Sequence, residues 1–299
     1  MAAERRSPAA RLGITEPQIQ RTRRFARKFR RNKKAMLGLT IVTGLIVVAV
    51  FAPLIAPYSI TETNIDQRTQ PPSLAHPFGT DDLGRDIFSR VIMGTRISLY
   101  VGFGSITSAL VVGAVIGVVA GYSGGLVDEI LMRVMDAAMA FPPVLLALTL
   151  LVVLGPELRN VILALAFVYT PYIARVTRSA ALAERSEAYV DAAVARGEGN
   201  SRIIFSEVLP NCAAPILVQG SLNVSFAILA EASLSFLGLG AQPPKPSWGL
   251  MIDTGRGFMQ TAPWMLLFPA LAIGIAVVGF NMLGDGLRDV LDPKVEAIE

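Results

Sequence analysis

Few side chains in this sequence could do chemistry, and they fall into three groups. The first centres on Glu231, in the apolar run Ala227-Ile-Leu-Ala-Glu-Ala-Ser-Leu-Ser235. An acidic residue at the centre of a bilayer-spanning helix is disfavoured by about 2.5–3.5 kcal/mol, so it must face a cavity or a partner, or be protonated. Gln219, Ser221, Asn223 and Ser225 add polar groups earlier in the same run. Two readings stand open: a helix that lines a solute path, with Asn223 and Glu231 on it, or a hydrogen-bonded link between neighbouring helices. The second group is His76, Asp81, Asp82 and Asp86, residue types that could ligate a metal. The two leading aspartates also suit the start of a helix, where negative charge meets the dipole. Asp86 and Arg90 are spaced as an i,i+4 ion pair. Both roles account for these residues without a metal, and none is assigned. The third group is the polar segment 187–210, which separates two apolar runs.

Other chemistries find no residues to carry them. A single cysteine, Cys212, excludes an intramolecular disulfide and a cysteine-based metal cluster. No Walker-type glycine loop, H-E-x-x-H or G-x-S-x-G motif occurs, so a self-contained ATPase, zincin or serine hydrolase has no sequence support. The expectation is a non-catalytic chain that binds no cofactor itself.

The elements that must position these groups are membrane helices. Hydrophobic residues make up 53% of the 299 and charged residues 17%, with a mean hydropathy of +0.53. Crossing a bilayer takes about 20 mostly apolar residues, and six segments qualify: about 35–57, 97–121, 138–154, 161–176, 213–237 and 263–283. The expected fold is all-α and polytopic. The first span follows a long basic region and exceeds a secretory h-region in length, so it reads as a retained anchor. Twelve Lys and Arg precede it. Placing that tail in the cytoplasm puts 20 of the 27 basic residues inside, with both termini cytoplasmic. Nucleic-acid binding by the tail is set aside beside six spans. Phe25 and Phe29 among its arginines fit an interfacial helix on anionic lipid headgroups or a solvated tail.

The resulting division is a basic tail over 1–34, a first transmembrane helix over 35–57, an extracytoplasmic segment over 58–94, a five-helix core over 95–286 and a cytoplasmic tail over 287–299. In the outside segment Leu83, Ile87 and Val91, with Phe88 and Ile92, form an apolar stripe that predicts an amphipathic helix from about Thr80. Ser105, Ala109, Gly113, Gly117 and Gly121 recur every four residues, a ridge that admits a closely packed helix of this chain or another. Pro142-Pro143, Pro171, Pro215 and Pro269 interrupt later spans, as a path-lining bundle or ordinary kinked packing would require. Trp248 and Trp264 flank a Gly/Pro-rich outer loop as interfacial aromatics.

Within 184–210, helical signal runs from about Glu184 to Arg196, breaks at Gly197–Asn200, and resumes with Asn200 or Ser201 as cap until about Pro210. Ala188, Ala192, Ala193 and Ala195 keep the first helix slim enough for a groove, and Glu187, Tyr189 and Asp191 supply contacts. An ordinary alanine-rich loop explains the same composition.

Asp191-Ala192-Ala193, Gly197 and Leu209-Pro210 resemble the coupling loop of ABC importer permease subunits. Asp191 stands for the family's glutamate and Glu207 for its isoleucine. The strings Phe78–Leu99 and Ser235–Gly249 are similar to the dipeptide/oligopeptide/nickel branch. The resemblance implies a type I ABC importer permease fold in a prokaryotic cell membrane. It implies a second homologous permease subunit, two ABC ATPases that use ATP and Mg²⁺, and an extracytoplasmic substrate-binding protein. It also implies ATPase coupling through Glu187, Ala188, Tyr189, Asp191, Ala192, Ala193, Gly197, Leu209 and Pro210. Peptides are the implied cargo, with nickel, glutathione or another small solute as alternatives. An ion-coupled secondary transporter is the rival class, and it lacks ionisable groups on several helices.

Overall fold

The computed structural model describes residues 26–291. The basic residues up to Arg24, together with Phe25 and Lys294, lie outside them. Among the described residues the chain is helical, and its β pairing is an isolated bridge between Thr80 and Asp86.

Helix α1 spans Lys33–Ile55, capped by Asn32, whose Oδ1 accepts from Ala35 N at 3.0 Å. An irregular segment then leads to α2, Ile87–Ser123. At about 1.5 Å per residue, these 37 residues exceed the bilayer's roughly 30 Å core. Helix α3, Gly125–Met139, and α4, Pro143–Leu154, are bent by 90° at the break between them. Then come α5, Leu158–Glu184, and the short α6, Ala188–Ala195. A helical stretch follows, made of a turn at Asn200–Arg202, a π-helix at Ile203–Val208 and a turn at Leu209–Asn211. It feeds through Cys212 into α7, Ala213–Phe236. Helix α8, Trp248–Arg256, sits in the loop before α9, Trp264–Leu291.

Helices α1, α2, α5, α7 and α9 are each long and apolar enough to cross a membrane, and the bent α3–α4 pair makes a sixth if it counts as one. The expected third span, 138–154, is therefore corrected. Pro142 and Pro143 lack the N–H groups that would continue α3, and proline disfavours the α region for the residue before it. The remaining 12 residues of α4 cover only about 18 Å. Asn160 closes the next turn by donating to Leu154 O at 2.6 Å and Gly155 O at 3.1 Å, carbonyls that the end of α4 leaves free.

The expected amphipathic helix from Thr80 is also corrected. Residues 80–86 form a turn, Leu83 is exposed, and the helix starts at Ile87 and continues into the second span. The i,i+4 pair of Asp86 with Arg90 is not made. Asp86 instead caps α2, accepting from Ser89 N at 2.7 Å and from His76 Nδ1 at 2.9 Å. Arg90 turns to Asp81 at 3.7 Å and to Ile60 O at 3.0 Å. A cap carboxylate that already receives a backbone N–H is held away from its own i+4 neighbour. No three His, Cys, Asp or Glu side chains converge among the described residues as a metal site would need.

The small-residue ridge of α2 lies against α5 of the same chain. A Cβ on Gly113 would fall 2.8 Å from Thr170 O, one on Gly117 2.9 Å from Arg178 N, and one on Gly121 2.7 Å from Arg178 O. Ser105 and Ala109 are fully buried along the same line. A comparable seam joins α1 to α9, where a Cβ on Gly38 would fall 2.9 Å from Gly279 O. Irregular glycine spacing in α9 hides that seam from periodicity.

Ion pairs strap α3 to α5. Arg178 donates through Nε and Nη2 to both oxygens of Asp128 at 2.5 Å, and Arg175 Nη2 donates to Asp136 Oδ1 at 2.6 Å. Leu126, Ile130 and Val134, four apart, remain exposed on α3.

Candidate coupling surface

Helix α6 is two-sided. Val190 and Ala193 are buried with Ile203, Ile204 and Val208 of the π-helix. Ala188, Asp191, Ala192 and Ala195 are exposed, at spacings that place them on one helical face. Glu187 is the N-cap residue, with its side chain exposed and making no cap bond. The helix therefore starts at Ala188 rather than Glu184, because Arg185 to Glu187 form a turn.

Its far end has a defined cap. Gly197 N donates to Val194 O at 2.9 Å and Glu198 N to Ala193 O at 3.2 Å. This is the Schellman pattern, which requires a left-handed residue at the first position beyond the cap. Gly197 supplies it with φ +75°. The Glu198 side chain then links both sides of that reversal. Its Oε1 accepts from Arg196 at 2.8 Å, and its Oε2 lies 3.4 Å from Arg202 Nε. Sequence reasoning missed Glu198, although its i,i+4 spacing to Arg202 was a usable signal.

Tyr189 anchors α6 to the bundle. It is half-buried, and its hydroxyl donates to Glu184 Oε2 at 2.6 Å. Burial, with the nearby Glu184 carboxyl, pushes its pKa up to about 12, so it remains a donor throughout the physiological range. Cys212 is buried at the entrance to α7, and burial pushes its thiol up to about 11.

The expected second helix is present and ends near Pro210, while its expected cap at Asn200 or Ser201 is corrected. Gly199 is the N-cap residue, with Asn200 and Ser201 already in the helix, and the helical path runs through Pro210. Pro210 has no N–H for the ladder, and the turn before it widens to a π-helix, with Leu209 N donating to Ile204 O. Leu209 packs partly against the core, while Pro210 is exposed.

The intramembrane groups are enclosed. Glu231 has no exposed surface; Ser98 Oγ donates to its Oε2 at 3.2 Å and Ser235 Oγ to its Oε1 at 2.7 Å. It thus ties α7 to α2 and lines no open cavity in this conformation. Asn223 is also buried, with its Oδ1 accepting from Gln219 Nε2 at 2.9 Å.

The segments 78–99 and 235–249 meet at Trp248. Trp248 is fully buried, and its Nε1 donates to Val91 O at 3.0 Å. Gly94 leaves room for the indole, since a Cβ there would come within 3.0 Å of it. Trp264 Nε1 donates to Thr80 O at 3.2 Å. Both tryptophans therefore pin the 80–91 segment, and the expected interfacial placement of Trp248 is corrected. An indole N–H buried this deep needs an acceptor, and the α2 backbone provides one.

Residues 113–297 match the family described as binding-protein-dependent transport system inner membrane component. Residues 20–72 match the N-terminal transmembrane domain of oligopeptide transport permease C. A dipeptide transport system permease protein of Alkalihalophilus pseudofirmus is 49% identical, with 91% of this chain and 89% of that protein covered. The corresponding Escherichia coli protein is 47% identical, covering 91% and 93%. A glutathione transport system permease protein of Pectobacterium atrosepticum is 40% identical over 98% of both chains. With its α-helical bundle and membrane-length helices, this chain belongs to the family of binding-protein-dependent transport inner-membrane components, as a permease subunit with the type I ABC importer fold.

Proposed function

We propose that this subunit forms half of a translocation path for di- and oligopeptides and takes its motion from a separate ATPase docked on α6. The observation that carries the coupling reading is the two-sidedness of α6. One face is locked into the core by Val190 and Ala193, and the other presents Ala188, Asp191, Ala192 and Ala195 to a partner. A rigidly backed, slim helix transmits displacement instead of deforming. Ala188, Ala192, Asp191 and Glu187 would meet the ATPase. Tyr189, Ala193, Gly197, Leu209 and Pro210 would hold the helix in place.

Force entering at α6 passes to α5 through the Arg185–Glu187 turn and the Tyr189–Glu184 bond. The ridge Ser105–Gly121 and the ion pairs of Arg175 and Arg178 make α2 and α3 move with α5. Paired with a second homologous permease subunit, such a unit would rock between inward- and outward-facing states. ATP and Mg²⁺ would act in the ATPase partners. A binding protein would deliver cargo on the face closed by Trp248 and Trp264, with both termini in the cytoplasm. Coupling requires the ATPases to bind the two states differently.

The names of the relatives support peptide cargo, and the glutathione relative favours small peptides within that class. Co-purification of the chain with an ABC ATPase, followed by ATP-driven uptake of labelled di-, tri- and oligopeptides, glutathione and Ni²⁺ into proteoliposomes, tests both parts. Peptide uptake that depends on ATP and on the binding protein is expected. Uptake of Ni²⁺ alone, or uptake driven by an ion gradient without ATP, overturns the reading.

A further inference from the structure

A groove of about 880 Å³ runs between α1 and α2 toward the end of the bundle closed by the loop before α8. Along α2 its lining reads Arg96, Tyr100, Phe103, Thr107, a spacing that sets a cation, a phenol, a phenyl ring and a hydroxyl on one helical face. Exposed Ile46 and Val50 of α1 form the opposite wall, and Lys245 stands in the lining with Arg96. Arg96 and Lys245 are both exposed, and neither forms an ion pair among the described residues. Arg85, Arg90, Arg175 and Arg178 all have carboxylate partners.

We infer that this groove is a binding site for an anionic phospholipid, with the headgroup phosphate between Arg96 and Lys245 and acyl chains along Ile46, Val50 and Phe103. Two unmatched cations at one end of an apolar trough complement a ligand with negative charge at one end and hydrocarbon at the other. A free inorganic anion leaves the trough unfilled, and an apolar helix from a partner leaves both cations unmatched. A zwitterionic lipid carries a cation of its own beside the phosphate, which weakens the match. Tyr100, exposed and on the same helical face as Phe103, has the amphipathic character of a side chain at the headgroup boundary.

The test is native mass spectrometry of the importer assembled with its partner subunits, released from nanodiscs of equal phosphatidylglycerol and phosphatidylethanolamine content. Retention of phosphatidylglycerol should exceed that of phosphatidylethanolamine by about thirtyfold, from two cations near the headgroup. Arg96→Gln with Lys245→Gln should abolish the preference, and Arg96→Lys with Lys245→Arg should keep it. If the double glutamine variant fails to assemble, Lys245→Gln alone, in an exposed loop, should lower the preference by about fivefold. Equal retention of both lipids by the wild type, or an unchanged preference in the assembled glutamine variants, overturns the assignment.

Discussion

Ala192 and Ala193 are adjacent in sequence and opposite in environment, so substituting each separates docking from folding. Ala192 is exposed on α6, and Ala193 has no exposed surface. Ala192→Arg adds a long charged side chain to the free face, where substitutions change stability within about 0.5 kcal/mol. Inserted between α6 and a complementary groove, the same side chain costs about 1–3 kcal/mol of contact energy, as overpacking does elsewhere. That weakens docking by about 5- to 150-fold. Ala193→Leu instead forces three additional carbons against the buried π-helix and destabilises the subunit itself by about 1–3 kcal/mol. The assay has three readouts: thermal stability of the purified subunit, co-purification of the ATPase, and ATP-driven uptake. Ala192→Arg should leave melting within about 2 °C of wild type while ATPase retention and uptake collapse. Ala193→Leu should lower melting along with both activities. An Ala192→Arg importer with full ATPase retention and uptake would refute the assignment of the free face. So would an Ala193→Leu subunit of normal stability, because the inward face would then not be packed.

The remaining predictions concern packing and burial. At Gly117 a Cβ would lie 2.6 Å from Thr177 Cβ and 2.9 Å from Arg178 N. Gly117→Ala should therefore destabilise by about 1–3 kcal/mol, less about 1 kcal/mol of helix propensity. Gly44→Ala meets no atom within 4 Å and should be neutral to stabilising; equal melting shifts for the two would contradict the close α2–α5 seam. Removing the Glu231 carboxyl leaves the Ser98 and Ser235 hydroxyls without their acceptor, so Glu231→Ala should destabilise by about 1–3 kcal/mol. Glu231→Gln, which retains an acceptor, should recover most of the loss. Full stability with abolished uptake in the alanine variant would assign Glu231 to the path instead. At alkaline pH the raised Cys212 pKa has a definite sign. Below about pH 9 the thiol is protonated in both states; between 9 and about 11 the unfolded state ionises first, so stability falls as pH rises. Cys212→Ala should flatten that part of a melting-versus-pH curve, and the native thiol should resist maleimide at pH 8 until the protein is denatured.

Features that depend on short stretches of chain are legible in the amino-acid order alone. Local apolar runs mark the long helices, since crossing a bilayer requires about 20 mostly apolar residues whatever their neighbours are. Small residues at every fourth position in α2 declared a packing face, and Gly197 declared a helix end, because both requirements are local backbone geometry. Helix α6 and the helical stretch ending near Pro210 are legible for the same reason, although the π-helix at Ile203–Val208 is not visible in periodicity. Pro142-Pro143 marks an interruption in the sequence, but the 90° bend between α3 and α4 depends on how the two helices pack. Tertiary structure alone decided which partner each group meets. Glu231 meets Ser98, 133 residues away in the chain, and Trp248 meets Val91, 157 residues away. Arg178 reaches Asp128 across two helix ends, and Asp86 prefers a backbone cap to the arginine one turn on. Which acceptor a buried donor finds depends on how the helices are set beside one another. That arrangement follows from close contact along glycine seams and is not written in any single segment.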